Sequence, residues 1–421
     1  MKYNKKVLSN GLRIITVPMK ESETAIATIF VEIGSDYETK QNNGISHFLE
    51  HMFFKGTKNR TGTEINIELD SLGSENNAYT SSEITAYHAK ARYKKVNKII
   101  DIISDMYLNP TFPEKDIETE RGVILEEVNM YKDLPQRQVL VAWQEMLHPK
   151  QPHGMSTIGT EINIKKFKRN DLVEYYEKHY VPNKTIIVVA GKIDEKQIIK
   201  KIKEKFGSLK NSKIIKKEKY NNNQKTPQVK INYKKSDQTH IVMGFRSYDL
   251  YNEKNYALRQ ASTILGGGMS SRLFQKMREE LGICYYVRSA NYCLTDYGYF
   301  FVSIGVGNSR TEEAVKVLVE EFKKIRDEGV TKEEISRAKD IILGNIANGL
   351  ETSADWAEYY GEQETLHEKI TTPKEDEKKV RSVTEKDIKK VLNEVIQNKN
   401  LNLAIVGPHK NSAKFKKLLK I

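Results

Sequence analysis

The sequence predicts an α+β protein built twice: two duplicated domains, each a mixed β-sheet with helices packed on one face. Three observations predict this. The chain has 421 residues, enough for about two domains. Segments recur with a period of about 216 residues. In each half, strand-like runs gather ahead of helical ones, the order expected of α+β units.

Taken in order, Thr28-Ile-Phe-Val-Glu-Ile-Gly-Ser35 reads as a strand and has a counterpart in His240-Ile-Val-Met-Gly-Phe-Arg-Ser247. The run around His47 reads as a helix. Residues 77–90, rich in Thr, Tyr and Ile, read as a strand pair, and His88 within it is a strand residue, not a ligand. Glu114-Lys-Asp-Ile117 resembles Lys332-Glu-Glu-Ile335. The stretch from Glu120 to Tyr131 places Val123, Ile124, Val128 and Tyr131 at helical spacing. Asp171-Leu-Val-Glu-Tyr-Tyr176, the strand Thr185-Ile-Ile-Val-Val-Ala-Gly191 and a following helix are echoed by Asp387-Ile-Lys-Lys-Val-Leu392, Leu401-Asn-Leu-Ala-Ile-Val-Gly407 and a last helix. The division expected is a first domain over 1–208, a Lys/Asn-rich linker over 209–228 and a second domain over 229–421. Gly266-Gly-Gly268 is a turn or hinge between helices.

Composition excludes several function classes. Hydrophobic residues make up 38% and charged residues 30%, as in a globular protein with a lysine-rich surface. No apolar run approaches the ~18 residues of a membrane span, and the first residues lack the apolar core of a signal peptide. Cys284 and Cys293 have no metal-like partner pattern and are expected to be reduced. A cytoplasmic protein is therefore expected. The net charge of +13 invites a nucleic-acid reading, but its placement argues otherwise. Residues 195–236 hold fourteen lysines against three glutamates, on an amphipathic helix (Ile198, Ile199, Ile202, Phe206) and a polar connector. Bases would find almost no aromatic side chains there to stack on. A solvated face plus linker is expected, with neither nucleic acid nor membrane as a partner.

The chemistry gathers at His47-Phe-Leu-Glu-His51. Two histidines four apart leave one face of a helix together, the spacing at which two nitrogens can hold one metal ion. Glu50 stands beside them, close enough to work on a metal-bound water. The order inverts His-Glu-x-x-His, a signature of inverted zinc peptidases. With nine histidines in the chain, chance occurrences number on the order of 0.01. A catalytic zinc needs a third protein ligand and an open position. Glu120, Glu126 and Glu127 offer carboxylates on one helix. Glu120 and Glu127 are two turns apart and share a face, while Glu126 points about 100° away. Two imidazoles and a carboxylate suit zinc, and also admit manganese or cobalt.

The motif, with Glu127 lying 76 residues beyond His51, resembles the pitrilysin/insulinase family of zinc metallopeptidases, in particular its smaller-subunit members such as mitochondrial processing peptidase. The resemblance runs through Ser9-Asn-Gly-Leu-Arg13, Gly34-Ser-Asp36, Asn77-Ala-Tyr-Thr80 and Arg272-Leu-Phe-Gln-Lys-Met-Arg-Glu279, and so covers essentially the whole chain. It implies the family's fold and a zinc-dependent endopeptidase acting on extended peptides. It implies His47, His51 and Glu127 as ligands of one Zn2+, Glu50 as general base, and Glu120 behind a ligand histidine. It also implies Asn77 and Ala78 as binders of substrate backbone, and Arg278 and Tyr285 as residues contacting substrate and the tetrahedral intermediate. Tyr286 is the adjacent alternative to Tyr285. The duplication places Asn345 and Ala338 where Glu127 and Glu120 would recur, and no histidine lies between Arg259 and Leu265, so one zinc per chain is expected. Because the chain matches one half-shell of the family's chamber, a homodimer, or a heterodimer with a related chain, is implied. The competing reading is a zinc-bearing subunit whose work is assembly or binding.

Overall fold

A computed structural model describes residues 1–367 and 369–421. The first half runs β1 (Asn4–Val7), β2 (Arg13–Pro18), β3 (Thr24–Val31), α1 (Ile45–Met52), α2 (Gly62–Ser71), β4 (Glu75–Thr80), β5 (Thr85–Arg92), α3 (Val96–Leu108), α4 (Glu114–Asp133), α5 (Pro135–Leu147), α6 (Glu161–Ile164), α7 (Arg169–His179), β6 (Thr185–Gly191) and α8 (Glu195–Phe206). The second half runs β7 (Gln228–Tyr233), β8 (Gln238–Ser247), α9 (Asn255–Gly266), a π-helical segment (Phe274–Glu280), β9 (Cys284–Cys293), β10 (Gly298–Gly307), α10 (Thr311–Asp327), α11 (Lys332–Asn348), α12 (Ser353–Leu366), α13 (Pro373–Ser382), α14 (Glu385–Val395), β11 (Leu401–Gly407) and α15 (Ser412–Lys416).

The duplication is explicit in the sheets. One has the order β1-β2-β6-β3-β5-β4, the other β7-β11-β8-β10-β9. Apart from the extra edge strand β1, the two orders match strand for strand. In each, one pair is parallel (β2 with β6, β7 with β11) and the others are antiparallel. Both are the mixed sheets of an α+β protein. Strands β6 and β11 are buried along their whole length. Each has helices over both faces, which is why their sequences are near-continuous apolar runs.

The chain forms two compact units that are not contiguous in sequence. One comprises 1–128, 155–218 and 349–370, the other 129–154, 219–348 and 371–421. The compact units differ from the linear division at 208 and 229 expected from the sequence: they trade one segment each way. In the first unit, α12 covers the sheet face made by Ile15, Val17, Ile26, Phe30, Ile84, Ala86, Ile186, Val188 and Ala190, burying Trp356, Ala357 and Tyr360 against them. In the second unit, α5 does the same, packing Val139, Ala142, Trp143, Met146 and Leu147 on Val242, Ala404 and Val406. Helices α9, α10 and α14 build the larger core on the opposite face. Each sheet therefore has a main helical layer on one face and a single helix, from the other half of the sequence, on the second.

The α12 contact depends on one glycine. A Cβ at Gly361 would stand 2.1 Å from Phe30 Cε2, and Phe30 is fully buried. Gly361→Ala is expected to destabilise the first unit by about 1–3 kcal/mol, the usual cost of overpacking, despite alanine's better helix propensity. Thermal or denaturant unfolding checks this. Adding Phe30→Leu should return part of the loss.

The lysine-rich connector is only partly a solvated linker. Lys217, with 12% of its side chain exposed, bridges to Glu83 at 2.5 Å and Asp36 at 3.9 Å, both 1% exposed. The buried Lys184 donates to the Ile215 carbonyl at 2.9 Å. Farther on, Arg246 donates to Gln224 Oε1 at 3.0 Å and the Tyr220 hydroxyl at 2.7 Å. The connector is thus pinned to the first unit by 215–217 and to the second by 220–224. Both cysteines are free. Among the described residues, no helix is long and apolar enough to cross a membrane.

Candidate metal centre

Helix α1 buries Ile45, Phe48, Leu49 and Met52 and leaves His47, Glu50 and His51 half-buried on its other face. The helix start is fixed by Glu38, whose carboxylate accepts from the Gly44 N–H at 2.8 Å, the Ser46 N–H at 2.9 Å and Asn43 Nδ2 at 2.9 Å. A carboxylate there satisfies donors that the helix cannot bond internally and suits the positive end of its dipole. Burial nonetheless pushes the Glu38 carboxyl up to about 7, against these donors. Gly44 precedes the helix at φ 98° with its backbone against Gly159, a conformation and an approach that favour glycine.

Helix α4 supplies the carboxylates. Glu127 Oε2 lies 3.5 Å from His47 Nε2 and 3.6 Å from His51 Nε2. All three ligand atoms fall within 4.8 Å of one another, and among the described residues no other group of His, Cys, Asp or Glu is arranged in this way. The distances are long for hydrogen bonds. They suit donors around a common ion, since tetrahedral zinc with bonds of about 2.0–2.1 Å holds its ligand atoms about 3.4 Å apart. Glu126 is exposed and outside the group. His88, on β5, is also outside it.

Glu120 is buried behind this triad. Its Oε2 meets His51 Nδ1 at 3.0 Å and its Oε1 meets Lys55 Nζ at 2.6 Å. Burial alone would raise Glu120, but the bonds from His51 and Lys55 outweigh it and hold the carboxyl below its ordinary value. The Glu120 contact keeps the proton of His51 on Nδ1 and turns Nε2 toward Glu127, the orientation a metal-binding imidazole needs. The donor set therefore fits a zinc ion, with His47, His51 and Glu127 as the residues that would hold it. Burial, then the neighbouring His51, lowers His47 to about 4. Burial would also lower His51, but Glu120 and Glu127 carry it up to about 9. Metal binding must then expel the Nε2 proton of His51. Zinc affinity is expected to climb with pH, by up to about tenfold per unit from about pH 6 to pH 9, with one proton released per zinc bound. A competition titration across that range checks it, and a flat profile would show His51 already neutral.

Glu50 faces the same region from α1. Its Oε2 accepts from the Thr80 hydroxyl at 2.6 Å, and burial raises its carboxyl, opposed by Thr80 and His51. Thr80 ends β4, the edge strand of the first sheet. Asn77 and Ala78 lie on that strand opposite His88 and Tyr87 of β5, and Asn77 Oδ1 accepts from the Ala78 N–H at 2.9 Å.

Arg278 and Tyr285 lie in the other compact unit. Their side chains meet: the Arg278 guanidinium is 5.4 Å from the Tyr285 ring centroid and 4.8 Å from that of Phe274. Tyr285 is 77% exposed. Tyr286 instead packs inward, its hydroxyl 3.0 Å from His240 Nδ1. The positions related by the duplication, Ala338 and Asn345, carry no carboxylate, and α9 contains no histidine. Sequence reading missed Lys55 and Thr80. Lys55 lies past the end of α1, so helical spacing does not announce it, and nothing in the sequence pairs Thr80 with Glu50.

Two family matches divide the chain. Residues 13–161 match the family described as Insulinase (Peptidase family M16), and residues 166–342 match the Peptidase M16 inactive domain. An uncharacterized zinc protease of Rickettsia bellii is 32% identical over 408 residues, covering 97% of this chain and 98% of the relative. Another, from Streptomyces coelicolor, is 30% identical over 410 residues, covering 96% and 89%. Among solved structures, a protease from Helicobacter pylori superposes with a TM-score of 0.89 at 22% identity, covering 97% of this chain and 99% of the other. A peptidase M16 inactive domain from Pseudomonas fluorescens gives 0.90 at 16%, covering 98% and 99%. At those identities the likeness is one of fold.

Proposed function

On the premise that this chain belongs to the insulinase (M16) peptidase family, we propose that it is a zinc-dependent endopeptidase that cuts extended peptides or unfolded segments. The observation that carries this is the convergence of His47, His51 and Glu127, with a fourth group, Glu50, on the same helix face, outside the triad and hydrogen-bonded by Thr80. A non-catalytic metal site has no use for that extra carboxylate.

When bound, a single zinc ion would supply the Lewis acid that activates water and polarises the scissile carbonyl. Glu50 takes the proton of the attacking water at a carboxylate oxygen and returns it to the leaving amine. Glu120 orients His51 through Nδ1. The free edge of β4 offers main-chain donors and acceptors to an extended peptide, which joins as an added strand at Asn77 and Ala78. Main-chain pairing tolerates many side chains, so broad specificity is expected. Arg278 and Tyr285 contribute substrate contacts. Their exposure supports action on a substrate held by a second chain, in a homodimer or a pairing with a related subunit.

The test is hydrolysis of quenched fluorescent peptides by purified protein, first chelated and then titrated with zinc. Activity should vanish with chelator and return near one zinc per chain. A protein that binds one zinc yet cleaves nothing at any zinc level would favour the assembly or binding subunit.

A further inference from the structure

We infer that Thr80 is a positioning residue for the reaction: its hydroxyl fixes the Glu50 carboxylate so that one oxygen is left aimed to take the proton. The inference rests on the reading of Glu50 as general base.

A glutamate carboxylate turns freely about its last torsion, which has only broad, two-fold preferences. A base that must meet one proton in one place needs that rotation stopped. The Thr80 Oγ1 to Glu50 Oε2 distance of 2.6 Å is that of a charge-assisted hydrogen bond. It occupies Oε2 and leaves Oε1 for the proton of the attacking water.

Thr80 can impose this geometry because it is itself held from behind. It ends β4 opposite Thr85, whose hydroxyl donates to the Ile33 carbonyl at 3.0 Å. The turn that follows is closed by the Ser81 N–H on the Ile84 carbonyl at 2.7 Å. The Ser35 and Asp36 N–H groups grip the Ser81 and Ser82 carbonyls at 3.2 and 2.9 Å. Lys217, from the connector, then bridges the buried Glu83 at the turn's far side. Meanwhile Glu50 rides on a helix anchored by Glu38. Two separately fixed elements meet at one short hydrogen bond. The strand that would receive the peptide is also the strand that sets the base.

The experiment compares Thr80→Val, which keeps the branched shape without the donor, with Thr80→Ser, which keeps the donor. Both are made in the wild-type and Glu50→Gln chains, as full-length zinc-loaded protein. Thr80→Val should lower kcat by about 10–100-fold and leave KM within about twofold. Thr80→Ser should stay within about threefold of wild type. Zinc dissociation constants should match across the set. In the Glu50→Gln background, which holds peptide without cutting it, Thr80→Val should leave peptide affinity unchanged. Wild-type kcat in Thr80→Val, a loss confined to KM or peptide affinity, a loss that follows zinc content, or a Thr80→Ser variant as slow as Thr80→Val would each overturn the inference. If Glu50→Gln itself turns over normally, the assignment of Glu50 as base has failed; if Glu50→Gln is inert while Thr80→Val is fully active, only the role of Thr80 has.

Discussion

Glu50→Gln is expected to cut peptide hydrolysis by about 10²–10⁴-fold, the usual contribution of a positioned general base, while zinc affinity stays within about threefold of wild type. Glutamine keeps the volume and one carbonyl oxygen, so the Thr80 hydroxyl still has an acceptor at the position it now bonds. What is lost is the oxygen that can hold a proton. The ligand atoms of His47, His51 and Glu127 belong to other side chains, so the metal should bind as before. Paired measurements of kcat and of zinc binding by competition check this. A variant with normal turnover would remove Glu50 from the chemistry. One that loses zinc together with activity would show that its carboxylate serves the metal instead.

Glu127→Ala is expected to abolish stoichiometric zinc binding near neutral pH, whereas Glu126→Ala should bind and turn over like wild type. The two residues are neighbours in sequence and alike in chemistry, so only position separates them. Glu127 points at both His Nε2 atoms, while Glu126 is exposed. Removing Glu120, which acts through His51, should cost about 10–100-fold in zinc affinity. Removing Glu127 should cost more, since it takes away a donor itself. Zinc content after dialysis, measured on all three variants beside wild type, tests the ranking. Equal retention by Glu126→Ala and Glu127→Ala would dismiss the triad.

The legible part of the site is the part that lies within single helices. His47 and His51 share a face because four residues make just over one turn, whatever surrounds them. The same arithmetic put Glu120 and Glu127 on one side of α4 and set Glu126 apart, and the structure brings Glu127 to the histidines and leaves Glu126 in solvent. The duplication was legible because equivalent strands keep the same apolar runs, and the two sheet orders correspond accordingly. Composition makes 209–228 a solvated link, yet Lys217 is drawn in by the buried Glu83 and the Ile215 carbonyl by the buried Lys184, and no local pattern announces such partners.

The exchange of α5 and α12 was illegible for a related reason. Each buries an apolar side that any uncovered sheet face could accept, and sequence proximity favours the nearer one. What assigns them is fit: Gly361 admits the Phe30 ring where a side chain would clash, and Trp143 settles among Tyr299 and Phe301. By itself, then, the sequence determined the periodic and the repeated: helix faces, strand runs, the doubled α+β plan, and which candidate side chains share a helix face. The tertiary structure alone decided which elements meet: α4 against α1 at Glu127, α12 against the first sheet, Thr80 against Glu50. Periodicity is fixed by backbone geometry within a few residues. Meetings depend on how distant side chains fill one another's space, which no short stretch of chain contains.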